Sequence, residues 1–228
     1  MTIRRLPEHV VNRIAAGEVI ERPASAVKEL VENSLDAGAI RVDVHIRDGG
    51  KSLISVVDDG IGMTPDELRL AVERHATSKL PQDDLDHIQT LGFRGEALPS
   101  IGSVGRLSIT SRTADSDSAW RLDIEGGDIG ELSPAPLSKG TRIELRDLFY
   151  ATPARLKFLR ADRTESSQVA DAISRLAMAR PDVSFTLIDG ERTKIKLEAT
   201  QGDLLDARLR RLGGIMGKEF AENALPIE

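Results

Sequence analysis

Apolar residues recur every three or four positions in some stretches of the chain and alternate singly with polar ones in others. Val10, Val11 and Ile14 follow Pro7 at helical spacing and precede Gly17, which predicts a short first helix that stops there. A second helix is predicted over residues 24–36, closed by Ala37-Gly38. Val42, Val44 and Ile46 then alternate with polar residues, Gly49-Gly50 turns the chain, and residues 53–57 return, the pattern of a β-hairpin. Thr64-Pro65-Asp66-Glu67 unites a capping box with proline at the first helical position and predicts a helix to about Arg74. Further strands are predicted over residues 107–111, 119–124, 141–146 and 183–188. Between the last two, Val169, Ala172, Ile173, Leu176 and Ala177 mark a helix.

Strands that pair through hairpins, with helices grouped between them, indicate an α+β sandwich and not a doubly wound parallel sheet. No internal repeat or low-complexity segment interrupts the pattern. The composition shifts at Thr200-Gln201-Gly202, ahead of an amphipathic helix over residues 204–212 and Gly213-Gly214, so a domain boundary is expected close to residue 200.

Composition narrows the function. The 31 Lys and Arg against 37 Asp and Glu give a net charge of -6, the wrong sign for a domain held on DNA by its overall field, although local basic patches remain open. Aromatic residues make up 3%, too few for a surface that stacks bases on rings. Cysteine is absent, which excludes disulfides and thiolate metal sites. The N-terminus lacks the apolar core of a signal peptide and no run approaches a membrane span, so a cytoplasmic protein with no membrane partner is expected.

Four segments carry candidate chemistry. In the helix over residues 24–36, steps of ~100° bring Glu29, Asn33 and Asp36 onto one face, opposite Val27, Leu30, Val31 and Ser34. That face is either a solvated polar stripe or a site, and Asn33 is an unfavourable helix residue without a task. The hairpin's second strand runs into Asp58-Asp59-Gly60-Ile61-Gly62-Met63, a carboxylate where a strand meets a glycine-bearing turn. It is a polar turn, or a ligand contact in which Gly60 and Gly62 let backbone approach a flat ring. Leu91-Gly92-Phe93-Arg94-Gly95-Glu96-Ala97-Leu98 is a glycine-rich loop running into a helix, either structural or presenting N–H groups and the Arg94 charge to phosphate. Thr77, Ser78 and Lys79 add hydroxyls and an ammonium that could serve the same anion.

Rival sites fail on spacing. Gly50-Lys51-Ser52 mimics the end of a P-loop, but His45 stands where that motif needs glycine. His9, His45, His75 and His87 lack zinc-binding spacing, and there is no Gly-x-Ser-x-Gly elbow.

Together, Glu29-x-x-x-Asn33, Asp58-x-Gly60-x-Gly62, the loop over residues 92–98 and Lys139-Gly140-Thr141, in this order, resemble the ATP site of the GHKL superfamily. Within it, IAAGEVIERPASAVKELVENSLDAGA, RHATSK, LGFRGEALPSI and DLFYATPARLKFL are similar to the MutL family of DNA mismatch repair proteins, from Leu6 to about Leu159. The resemblance implies the Bergerat sandwich, a mixed, mostly antiparallel sheet with helices over one face. It implies ATP and Mg²⁺ as ligands, with Glu29 as the general base for the attacking water and Asn33 as the metal ligand. Asp58 would accept from the adenine amino group beside Gly62, and Thr141 would support the base. Thr77, Ser78, Lys79 and the loop Gly92, Phe93, Arg94, Gly95, Glu96, Ala97 and Leu98 would meet the phosphates. Asp59 departs from the family's usual Asn, and Pro99 stands where a small residue is usual.

The resemblance also implies an organisation and partners. Residues 1–202 would be the ATPase domain, residues 1–21 its N-terminal arm, and residues 203–228 the start of a second, ribosomal-protein-like domain that supplies a lysine to the γ-phosphate and most of the DNA-binding groove. ATP would drive homodimerisation, coupling mismatch recognition to downstream nicking and unwinding proteins. A helix over residues 154–163, with Arg155, Lys157, Arg160 and Arg163, is either a solvated surface or a contact to DNA phosphates. A histidine kinase of the same superfamily is disfavoured because no heptads precede the site. A topoisomerase-type module, or a scaffold that binds ATP without turnover, stays open.

Overall fold

In the computed structural model, which describes residues 4–74, 76, 95–200 and 202–224, the alternating segments become strands of one sheet. They are β1 (Arg41–Arg47), β2 (Leu53–Asp58), β3 (Arg106–Arg112), β4 (Ala119–Glu125), β5 (Asp128–Ile129), β6 (Ser133–Ala135), β7 (Gly140–Arg146), β8 (Ser184–Asp189) and β9 (Arg192–Leu197). The order is β5-β4-β3-β7-β2-β1-β8-β9, with β6 also on β4. Pairing is antiparallel except between β1 and β8, so the sheet is mixed as expected.

The helices are α1 (Glu8–Val19), α2 (Pro23–Asp36), α3 (Pro65–Leu70), α4 (Ala97–Val104), α5 (Pro153–Leu156), α6 (Asp162–Ala179), α7 (Leu204–Met216) and α8 (Lys218–Asn223). Period-two alternation gives the sheet a greasy face: Val42, Val44, Ile54, Val56, Leu107, Ile109, Ile143, Leu145, Phe185 and Leu187 are buried. Helices α2, α4 and α6 contact the sheet through Val27, Leu30, Val31, Ile101, Val104, Val169 and Ile173, so one apolar layer holds the sandwich together. Truncating a fully buried residue of this layer, such as Leu30 to Ala, costs ~2–5 kcal/mol. The other face carries Arg106, Arg121, Asp123 and Glu125 in water, and exposed pairs such as Arg106–Glu125 at 2.9 Å contribute little to stability.

Proline at its first position starts α2, and a Schellman arrangement ends it: the Ala39 N–H bonds the Ser34 carbonyl at 3.1 Å and the Gly38 N–H bonds that of Leu35 at 3.0 Å. At α3 the capping box forms as read, Thr64 and Glu67 exchanging side-chain and backbone bonds. That helix ends at Leu70 and not near Arg74, because the chain tightens into turns; the Glu73 N–H reaches back to Leu70 at 3.0 Å. Nor does Gly17 stop α1, which runs on to Val19.

The expected helix over residues 154–163 is broken: α5 ends at Leu156 and α6 begins only at Asp162. The helix expected over residues 204–212 continues to Met216 through both glycines. Its Arg211, 2% exposed, donates to the carbonyls of Pro181 (2.9 Å), Val183 (2.6 Å) and Glu198 (3.0 Å). Among the described residues no helix is long and apolar enough to cross a membrane.

Candidate functional site

Asp58 ends β2 and is 7% exposed. One carboxylate oxygen accepts from the Ser34 hydroxyl at 2.8 Å, the other from the Gly60 N–H at 3.0 Å. Ser34 has one proton; the 2.8 Å contact to Asp58 takes it ahead of the Leu30 carbonyl at 3.2 Å. Burial pushes the Asp58 pKa above the usual carboxylate range, against the bonds from Ser34, the Gly60 amide and the Thr141 amide, while the neighbouring Asp59 charge adds to the rise. A buried carboxylate held in place by three donors is costly to keep ionised, and it presents an acceptor edge fixed in direction.

The segment after Asp58 is fastened to the end of α2. The Ile61 N–H bonds the Ala37 carbonyl at 3.0 Å, and Asp59 accepts from the N–H groups of Ile40 (2.9 Å) and Arg41 (3.0 Å) at the start of β1. Fully buried Ser111 on β3 fixes its far end, accepting from the Met63 N–H at 2.8 Å, donating to the Gly140 carbonyl at 3.1 Å and meeting the Thr141 hydroxyl at 2.9 Å. Gly62 has φ of 72°, and a Cβ there would lie 2.1 Å from the Arg112 carbonyl oxygen; a Cβ on Gly60 would lie 2.9 Å from that of Ala37. The absent side chains therefore make room for the protein's own backbone, where the sequence suggested a ligand ring.

Glu29, Asn33 and Asp36 share the half-exposed face of α2, with Ser34 and the apolar stripe turned to the sheet. Lys28 lies 3.6 Å from Glu29 and 2.8 Å from Glu32. Burial works to lower the Lys28 pKa, but the bond and charge of Glu32, with Glu29 behind them, raise it overall. The Ser34–Asp58 bond fastens α2, which carries Glu29 and Asn33, to the end of β2, where Asp58 pairs with Thr141 of β7.

Gly95, Glu96, Ala97 and Leu98 lie half-exposed at the start of α4, whose first turn has no side-chain cap. Pro99, in the same turn, has no N–H to offer an anion. Gly95 abuts residue 76, a Cβ there falling 2.4 Å from the Ala76 carbonyl oxygen. Thr77, Ser78, Lys79, Gly92, Phe93 and Arg94 lie outside the described residues. Of the basic group, Lys157, Arg160 and Arg163 are exposed, but Arg155 is turned inward and donates to the Gly17 carbonyl at 2.8 Å. Sequence reasoning missed Ser34 and Ser111 as parts of the site. Each was visible as a hydroxyl at a position whose periodicity faces the core.

Residues 20–139, just over half of the chain, match the sequence model of the Histidine kinase-, DNA gyrase B-, and HSP90-like ATPase family. The chain is 66% identical over its whole length to the DNA mismatch repair protein MutL of Rhodospirillum rubrum, and 60% identical to that of Bradyrhizobium diazoefficiens. It spans 36% and 38% of the length of these relatives. Among solved structures, the Aquifex aeolicus MutL ATPase domain complexed with ADP superimposes with a TM-score of 0.72 at 33% identity, covering 87% of this chain and 70% of that one. The fold, the order of the site segments and these matches converge: the chain belongs to the Histidine kinase-, DNA gyrase B-, and HSP90-like ATPase family, as an ATPase domain of the MutL type.

Proposed function

We propose that this chain binds and hydrolyses ATP as the switch domain of a DNA mismatch repair protein. The observation that carries the reading is Asp58, a buried carboxylate oriented by Ser34 and Gly60 at the end of β2. Such an acceptor suits the adenine amino group and repels the carbonyl oxygen that guanine offers in its place. The ADP complex of the Aquifex aeolicus domain supports a nucleotide as the ligand.

Asn33 suits Mg²⁺, because its carboxamide oxygen is a hard neutral donor and shares a face with Glu29. When bound, the ion neutralises charge on the phosphates. Glu29 holds a water by its carboxylate and accepts its proton as the water oxygen bonds to the terminal phosphorus and the bond from that phosphorus to the bridging oxygen breaks, releasing ADP and phosphate; the second carboxylate of this face, Asp36, lies two turns on. Ala97 and Leu98 offer backbone N–H groups to the phosphates, joined by Thr77, Ser78, Lys79 and the loop from Gly92 to Glu96. Thr141 supports Asp58 from β7.

In this reading residues 1–202 are the ATPase domain, residues 203–228 open a second domain, and nucleotide binding brings two domains together. DNA and the mismatch-recognition, nicking and unwinding proteins are the partners of the whole protein. Competition of ATP and GTP for a fluorescent ATP analogue, with and without Mg²⁺, alongside phosphate release from the same preparation, tests the reading. Tight, Mg²⁺-dependent ATP binding with slow phosphate release is expected. GTP competing as well as ATP would overturn the assignment of Asp58 and with it the adenine site.

A further inference from the structure

Helix α1 packs along α4, whose first turn carries the proposed phosphate donors. Among the described residues, two side chains from elsewhere reach its carbonyls: Arg74 donates to Asn12 at 3.3 Å and Arg155 to Gly17 at 2.8 Å. The second contact is the closer fitted. A Cβ built on Gly17 falls 1.5 Å from one guanidinium nitrogen of Arg155 and 1.9 Å from its central carbon, so the arginine occupies the space that any side chain at position 17 would take.

A glycine inside a helix weakens it relative to alanine by roughly fivefold in the local folding equilibrium. Here it neither stops α1 nor turns it; it makes the seat for a guanidinium. The central carbon of that guanidinium lies 6.0 Å from the centre of the Phe149 ring. Phe149 is fully buried with φ of 68°, a conformation that a bulky L-residue seldom takes, so the backbone beneath Arg155 is strained. Directly beyond it come the exposed cations Lys157, Arg160 and Arg163.

We propose that Arg155 is a clasp, a positioning residue that fixes α1 on α4 and links it to the basic segment following α5. Seated on Gly17, its charge is spent on a helix carbonyl and is withheld from any anionic partner. When α1 lifts, the guanidinium is released beside Lys157, Arg160 and Arg163 and adds to their field. The relevance to nucleotide binding rests on the proposed function, through the start of α4, but the clasp itself is tested without nucleotide.

Amide hydrogen exchange along α1, with α6 as an internal reference, reads the clasp directly. Arg155→Ala removes a charged hydrogen bond and should speed exchange in α1 by roughly tenfold, leaving α6 unchanged. Arg155→Lys keeps a cationic donor and should recover part of the protection. Gly17→Ala is the sharper variant, because helix propensity and the clasp predict opposite signs. Propensity alone slows exchange in α1 roughly fivefold; expulsion of Arg155 speeds it. The expected result is faster exchange for Gly17→Ala in the native background and slower exchange when it is added to Arg155→Ala. Slower exchange in the native background, unchanged exchange in Arg155→Ala, or equal acceleration in α6 would each overturn the clasp. If the unmutated protein fails to bind ATP, the proposed function falls while these exchange rates still decide the clasp.

Discussion

Replacing Asp58 with asparagine removes a charge and almost no volume, and it should move stability and nucleotide affinity in opposite directions. The carboxylate is buried, and burial outweighs the bonds from Ser34, Gly60 and Thr141, so its pKa lies above the ordinary range. A raised pKa in the folded state means that the fold holds this proton more tightly than the unfolded chain does. The stability it contributes is present in full below the unfolded pKa, about 4, and is lost as pH rises through the folded value. Above that value the fold bears the cost of a buried carboxylate, and Asp58→Asn relieves that cost. The amide need leave little unpaired. Its oxygen can accept from Gly60, and its NH₂ can donate to Ser34, whose own proton turns to the Leu30 carbonyl 3.2 Å away. Melting temperatures should be equal to or above those of the unmutated chain near neutrality, with the difference closing toward about pH 4.

Affinity should fall in the same variant. A hydrogen bond to a charged group is worth ~1.5–3 kcal/mol, so an acceptor edge turned partly into a donor should weaken ATP binding by roughly 10- to 100-fold. Discrimination against GTP should shrink with it. Thermal melts across the acid-to-neutral range and isothermal titration with both nucleotides supply the two readouts. A variant that melts lower than the parent at neutral pH, by more than it does in acid, would refute the burial argument. Unchanged affinity and unchanged discrimination would remove Asp58 from the base pocket.

Glu29→Ala should lower phosphate release by ~10²- to 10⁴-fold while ATP affinity stays within a small factor, because a general base acts on water in the transition state; unchanged turnover in a single-turnover assay would sink the mechanism. Asn33→Ala should lose Mg²⁺-dependent binding and hydrolysis together, which titration of ATP with and without the metal would show. Ser111→Ala leaves the Met63 N–H and the Thr141 hydroxyl without their shared partner, so denaturant unfolding should show a loss of ~1–3 kcal/mol, with weaker ATP binding because the segment over residues 60–63 is freed.

Periodicity made most of the fold legible. Val42, Val44 and Ile46 were readable as a strand because only one face of the sheet is covered, and Val27, Leu30 and Val31 as a helix because that face is covered by it. What was missed has the same cause. In β9, Arg192, Thr193, Lys194 and Lys196 surround Ile195 and Leu197 on an edge that buries little, so its alternation is faint. With two and three residues, β5 and β6 are too short to carry a period at all. Glycine punctuation misled at positions 17, 213 and 214 because tertiary packing overrode local propensity; Gly17 is occupied by a residue 138 positions away in the sequence.

The sequence offers the proposed reactive groups of the candidate site and hides what holds Asp58 in place. Glu29, Asn33 and Asp58 stood out because a polar face, an amide inside a helix and a carboxylate before a glycine turn are each locally unfavourable without a purpose. Ser34 and Ser111 looked like tolerated hydroxyls in apolar stripes, since the partner that explains each is distant in the chain: Asp58 for the first, Met63 and Gly140 for the second. These two serines turn three loose elements into one corner. A buried carboxylate is expensive, and a fold can keep it ionised only where donors from α2, the turn after β2, and β7 converge on it. The glycines follow from the same demand, because donors converge only if backbone can come within contact distance of backbone, as Gly62 does with Arg112. In the proposed adenine site, this convergence of donors is what fixes the direction of the Asp58 acceptor edge.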